Sequence, residues 1–214
     1  AVPKNGFAWN AARGQLELFA KLGYKTELAN KVISTIDALI LRPEVDDIGD
    51  LHVVIFAGHR IDEVGRPVLR FPRDREPQAR DLIREAISKA KNGWRRIEVL
   101  ASAAPGSDLL CHEVCSELGI DSIVCLPMPK EVYARSAFGD FDSWRSRYLE
   151  LIGRRPPLQL SNQEGLPRWL EGSGINPWER GNSWVLEMAR TRGAKKITLI
   201  ALWDGKPVGD APGG

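Results

Sequence analysis

Four short apolar runs, at 52–57, 96–101, 122–127 and 195–203, alternate with stretches whose apolar residues recur at helical spacing. Few folds admit that alternation. Consecutive strands separated by helices pair in parallel, because a parallel partner is reached only by a crossover. Such a sheet is buried on both faces, so its strands read as continuous apolar runs rather than as alternating ones. Ligands of these sheets sit outside the carboxyl ends of the strands. The loop after each run is therefore where chemistry is sought.

The helical stretches support this layout. Ala79, Leu82, Ile83, Ala86, Ile87 and Ala90 form one stripe over 77–91, closed by Gly93. Residues 109–119 make a short helix ending at Gly119, 141–152 a helix with Phe141, Trp144, Tyr148 and Leu151 on one side, and 177–192 a last helix. Residues 153–175 read as loop. Upstream, 6–41 read as two helices broken at Gly23, and 42–50, RPEVDDIGD, as a polar linker. The expected architecture is α/β: a Rossmann-like parallel sheet with helices on both faces over 51–214, preceded over 1–50 by a helical hairpin and linker.

Composition narrows the function classes. A hydrophobic share of 43% and a charged share of 27% belong to a globular chain, and no apolar run approaches a membrane span. No signal peptide shows at the first residues, AVPKNGFAWN, and without an initiator Met the chain reads as a piece of something longer, with further domains attached. A net charge of +2 argues against both nucleic acid and membrane as partners, and leaves self-association open. Three cysteines make no disulfide framework and fit a reducing, cytoplasmic setting.

The strand ends carry the candidate site. In VVIFAGHR, 53–60, Gly58 either serves a tight turn or lets backbone N–H groups approach a ligand, His59 follows, and Arg60 offers a fork suited to phosphate. In VLASAAPGSDLL the second run leads through Gly106, Ser107 and Asp108 into a helix. Ser107 or Asp108 can cap that helix, and its N-terminus can hold an anion. Asp108 can alternatively accept hydrogen bonds from a ribose or brace the first loop. Pro127 and Pro129 turn the third run out of the sheet. The fourth ends on Trp203, Asp204 and Gly205, where the indole either stacks on a planar base or plugs the sheet edge.

Taken in order, AGHR (57–60), ASAAPGSDLLCHEVCSELG (101–119), VCLPMP (124–129), NPWERGNSWVLEMA (176–189), LIALWDG (199–205) and GDAPGG (209–214) resemble the SLOG superfamily. That superfamily includes LOG-type phosphoribohydrolases, the DNA-processing protein DprA, and nucleotide-sensing domains of bacterial signalling and defence proteins. The resemblance implies a nucleotide or nucleotide-derived ligand at the strand ends. It implies a first loop of Gly58, His59 and Arg60, a second of Gly106, Ser107 and Asp108, Asn182 reaching in from the late helix, and Gly213 and Gly214 opening a phosphate loop. LOG-type enzymes continue their PGG with Gly-Thr and a catalytic glutamate, which this sequence does not contain. Residues 6–32 loosely resemble the last helical pair of a tetratricopeptide-like or TRAF-binding-type region.

The expected function is therefore a ligand-binding sensor domain, with no cofactor. A hydrolase of nucleotide N-glycosidic bonds, with Asp108 as its candidate carboxylate, and a DprA-like single-stranded DNA-binding module are the alternatives. Other residues invite chemistry less. Cys111, His112 and Cys115 lie on an apolar helical stripe and read as core rather than as a metal site. No motif ties a nucleophile to His59. Arg145, Arg147, Arg154 and Arg155 read as a solvated face or as a cover for phosphates.

Overall fold

The computed structural model describes residues 6–40, 50–139 and 141–205. Two helices, α1 (Gly6–Lys21) and α2 (Thr26–Ile40), form a hairpin. Five strands follow: β1 (Leu51–Gly58), β2 (Arg96–Ala101), β3 (Asp121–Leu126), β4 (Leu158–Gln159) and β5 (Lys196–Leu202). Five helices connect them: α3 (Glu76–Lys91), α4 (Ser107–Glu117), α5 (Lys130–Phe138), α6 (Asp142–Arg154) and α7 (Pro177–Arg190). Every strand pair is parallel, in the order β4-β3-β2-β1-β5. The chain is thus the α/β sheet expected of it.

Strand β1 explains why both faces are covered. Val54 and Phe56 enter a core completed by Ile83 and Ile87 of α3, Leu110 and Val114 of α4, Tyr133 and Phe138 of α5, and Trp144 and Tyr148 of α6. Leu51, Val53 and Ile55 enter a second core under Trp184, Val185, Met188 and Ala189 of α7. Successive side chains of a strand point to opposite faces, so an unbroken apolar run is what this geometry needs. At the edge, β5 is less covered: Ile197 and Leu199, in register with Val53 and Ile55, are exposed.

The hairpin lies against α7. Arg13 of α1 donates to Asp37 of α2 at 2.6 Å and to Glu187 of α7 at 2.9 Å, and the Phe19 ring packs on Trp169 with centroids 4.6 Å apart.

Two elements depart from the expected layout. Helix α5 lies where only a proline-led turn was foreseen, because nine residues show too few repeats for periodicity to register. Strand β4 lies in the segment read as loop. It is two residues long, and only its pairing with Cys125 and Leu126 makes it a strand. The basic segment is laced into the fold. Arg147 stacks over Trp144 at 3.9 Å and pairs with Glu113 at 2.7 Å and Glu76 at 2.8 Å. Arg154 and Arg155 bond to Glu150 and to the Ser122 carbonyl.

Candidate functional site

Strand order reverses beside β1: the chain moves from β1 outward through β2, β3 and β4, then returns to the opposite side of β1 as β5. At such a reversal the loops leaving the two strands that flank it separate and open a crevice. Here the crevice is a cleft of about 320 Å³, whose lining includes His59, Arg70, Arg75, Gln78, Trp203 and Asp204.

Its walls are tied together by Asp204. Arg70 grips that carboxylate with Nε at 3.0 Å and NH2 at 2.9 Å, and His59 Nε2 lies 3.2 Å from it. The His59 backbone N–H donates to the Leu202 carbonyl at 3.2 Å. The loop after β1, the segment 61–71 and the loop after β5 are therefore one unit. Trp203 is 60% exposed at the mouth, so it is not the plug of the sheet edge that was one of its two expected roles.

Arg70 and Arg75 were not singled out from the sequence, and neither was the residue that shapes their segment. Asp62 is buried, and its carboxylate accepts from the backbone N–H groups of Arg70 and Phe71, both at 2.9 Å, and from Arg66 at 2.8 Å. Residues 61–75 have no period, so only the density of arginine in RFPRDR could have drawn attention to them. Asp62→Asn turns one acceptor into a donor that faces donors. We expect a stability loss of about 1.5–3 kcal/mol, read as a lower urea midpoint at unchanged slope.

The first and second loops do meet, but their glycines serve each other. A Cβ on Gly58 would strike the Ser107 hydroxyl and come within 2.9 Å of the Leu202 Cβ. A Cβ on Gly106 would lie 2.5 Å from the Ile61 nitrogen. Ile61 N–H donates to the Pro105 carbonyl at 2.9 Å and Ser107 N–H to the His59 carbonyl at 3.1 Å. The close approach that excludes side chains is thus between protein loops. Arg60 also departs from its expected place: its NH2 donates to the Ala137 carbonyl at 2.7 Å, at the end of α5, and its guanidinium faces the Phe141 ring at 6.0 Å. The cations lining the cleft are Arg70 and Arg75.

Gly106, not Ser107 or Asp108, is the N-cap residue of α4, and it offers no side chain to cap with. Asp108 is buried beneath the second loop, with one carboxylate oxygen 3.3 Å from the Ala104 N–H and the other unpartnered. Burial, only partly offset by that hydrogen bond, raises its pKa to about 7. Nearby, His112 bonds Ser122 Oγ at 3.0 Å and the Ser102 carbonyl at 2.8 Å, and burial lowers its pKa to about 4. Cys111 and Cys115 are in the core, and burial pushes the Cys111 thiol up. Among the described residues, no group of His, Cys, Asp and Glu is arranged to hold a metal ion, and no helix is long and apolar enough to cross a membrane.

Asn182 is on an exposed position of α7 and is not among the residues lining the cleft. Gly205 ends the described part of the fourth loop with φ of 81°. Gly213 and Gly214 lie outside the described residues. Neither a protein-family model nor a curated protein sequence matches the chain.

Proposed function

We propose that the cleft between the carboxyl ends of β1 and β5 binds a nucleotide or nucleotide-derived ligand, and that the domain acts as a SLOG-type sensor within a longer cytoplasmic signalling or defence protein. The observation that carries this reading is the pairing, in one crevice at the strand-order reversal, of an exposed indole with arginine. Trp203 offers a π-face to a base. Arg75, held by Gln78 at 2.8 Å on the approach to α3, offers a cation to a phosphate. The hydrolase alternative rests on Asp108, which is buried behind the second loop and does not line the cleft.

The test is a melting panel of nucleotides, ADP-ribose-like compounds and cyclic dinucleotides. A ligand at about 100 times its dissociation constant stabilises by about 2.7 kcal/mol, which moves the midpoint of a chain this size by roughly 5 °C or more. Trp203→Ala should cost the best hit about 1–3 kcal/mol of binding, and Arg75→Gln about 1.5–3 kcal/mol, with melting of the unliganded protein nearly unchanged. A flat panel, or hits that bind both variants as they bind the parent, would remove the reading.

A further inference from the structure

A second cavity, about 400 Å³, opens between the hairpin and α7, away from the strand-end cleft. Its volume is within the range of small-molecule pockets. Leu18 of α1, Ile175 and Leu186 supply apolar lining, and Arg180 and Trp184 of α7 line it together. These two residues are one helical turn apart, on the same side of α7.

Each carries one buried donor that has no partner among the described residues. Arg180 is 8% exposed and its Nε has no partner; Trp184 is 4% exposed and its Nε1 has none either. Among the described residues no hydrogen bond or ion pair joins Arg180 to a carboxylate, and burial alone acts on its pKa, lowering it. A guanidinium taken out of water without an anion is costly. Of the three acids in the lining, Glu17, Glu179 and Glu187, two are already engaged. Glu17 pairs with Arg13 at 2.9 Å, and Glu187 pairs with Arg13 at 2.9 Å and with Arg190 at 2.7 Å.

We propose that this groove is a binding site for a small monocarboxylate with an apolar body, its carboxylate received by the Arg180 guanidinium beside the Trp184 ring. The planar guanidinium fork matches a carboxylate. The apolar lining takes the body. Glu17, Glu179 and Glu187 at the walls offset Lys21, Arg180 and Arg190, so the cavity has no surplus positive charge for a multiply charged anion such as phosphate. The site is independent of the nucleotide reading, because none of its lining residues belongs to the strand-end cleft.

Benzoate is a suitable probe, with benzamide and inorganic phosphate as controls. The indole N–H resonance of Trp184, assigned by its loss in Trp184→Phe, reports on the site. Benzoate should shift that resonance and, at about ten times its dissociation constant, raise the melting midpoint by roughly 3–5 °C. Benzamide and phosphate should do neither. Arg180→Met removes the cation at similar volume. It should abolish the benzoate response while leaving the midpoint of the unliganded protein equal or higher, as expected when an unpaired buried charge is replaced by an apolar side chain. Trp184→Phe should weaken benzoate severalfold, and this second variant keeps the test valid should Arg180→Met fail to fold. Four results overturn the proposal: no response to benzoate, an equal response to benzamide, an equal response to phosphate, or an undiminished response in both variants.

Discussion

Replacing Asp108 with asparagine is expected to stabilise the protein above neutral pH. The folded carboxyl titrates near 7, because burial penalises the charge, whereas an unfolded chain releases the same proton near 3.8. Between those values the folded state holds a proton that the unfolded state has lost. Stability therefore falls as pH rises through the window, by about 1.4 kcal/mol per pH unit. Above pH 7 the ionisation penalty is fully present, on the order of 4 kcal/mol. Asparagine cannot ionise. Its amide does bring donors to a place where one Asp108 oxygen has no partner, which costs about 1–2 kcal/mol. The net gain is about 2–3 kcal/mol, or roughly 5–10 °C in melting midpoint.

His112 makes the pH profile distinctive. Its folded pKa is near 4 and its unfolded value near 6.5, so in that window only the unfolded state takes up the proton. Its contribution to stability therefore rises with pH, opposing that of Asp108 across most of the same range. In the parent the two slopes offset each other. In Asp108→Asn the His112 slope remains. Urea unfolding at a series of pH values gives the difference between variant and parent, which should grow from about pH 4 to about pH 7 and then level off. A difference that stays flat across this range would show that Asp108 ionises like an ordinary surface carboxylate. The sequence offers capping, ribose binding, bracing of the first loop or a hydrolase carboxylate for this residue. Burial adds a reason why asparagine is not a neutral substitute here.

Why some of this was legible and some was not follows from what each residue answers to. Val53, Val54, Ile55 and Phe56 are apolar because both sides of β1 are covered, and a run of four such residues is a local signal. The stripe at Ala79, Ile83 and Ile87 is local in the same sense. Strand β4 has no such signal. Leu158 and Gln159 are a strand only because Cys125 and Leu126 lie beside them. The cleft is similar. His59, Arg70 and Asp204 meet at contacts spanning 134 and 145 positions in the chain, which no spacing rule reaches. Local reading found the strand ends, because their glycines and turn residues announce themselves. It could not tell that Arg60 would turn toward α5, or that Arg70, with no motif around it, would take its place at the cleft.

The glycines separate what a turn needs from what packing needs, and Gly106 gives the larger expected effect. Gly106→Ala should lower stability by about 3–5 kcal/mol, moving the midpoint by roughly 10 °C. Two costs combine. The backbone at Gly106 has φ of 117° and ψ of −130°, a region held almost only by glycine. Forcing an alanine there costs about 1–3 kcal/mol. Its Cβ would also press on the backbone of the first loop, 2.5 Å from the Ile61 nitrogen and 2.9 Å from the His59 carbonyl oxygen. Relief requires the loops to part, which weakens the hydrogen bonds from Ile61 to Pro105 and from Ser107 to His59, each worth about 0.5–1.5 kcal/mol. Gly119 is the control. Its φ is 63°, but a Cβ there meets nothing within 4 Å, so Gly119→Ala carries only the conformational cost of about 1–2 kcal/mol. Melting curves of the two variants side by side decide the matter. Equal losses would mean that the contact between the first two loops contributes nothing, and that Gly106 is needed for its turn alone. A loss at Gly106 well beyond that at Gly119 would establish that the strand-end loops hold each other in place before any ligand arrives.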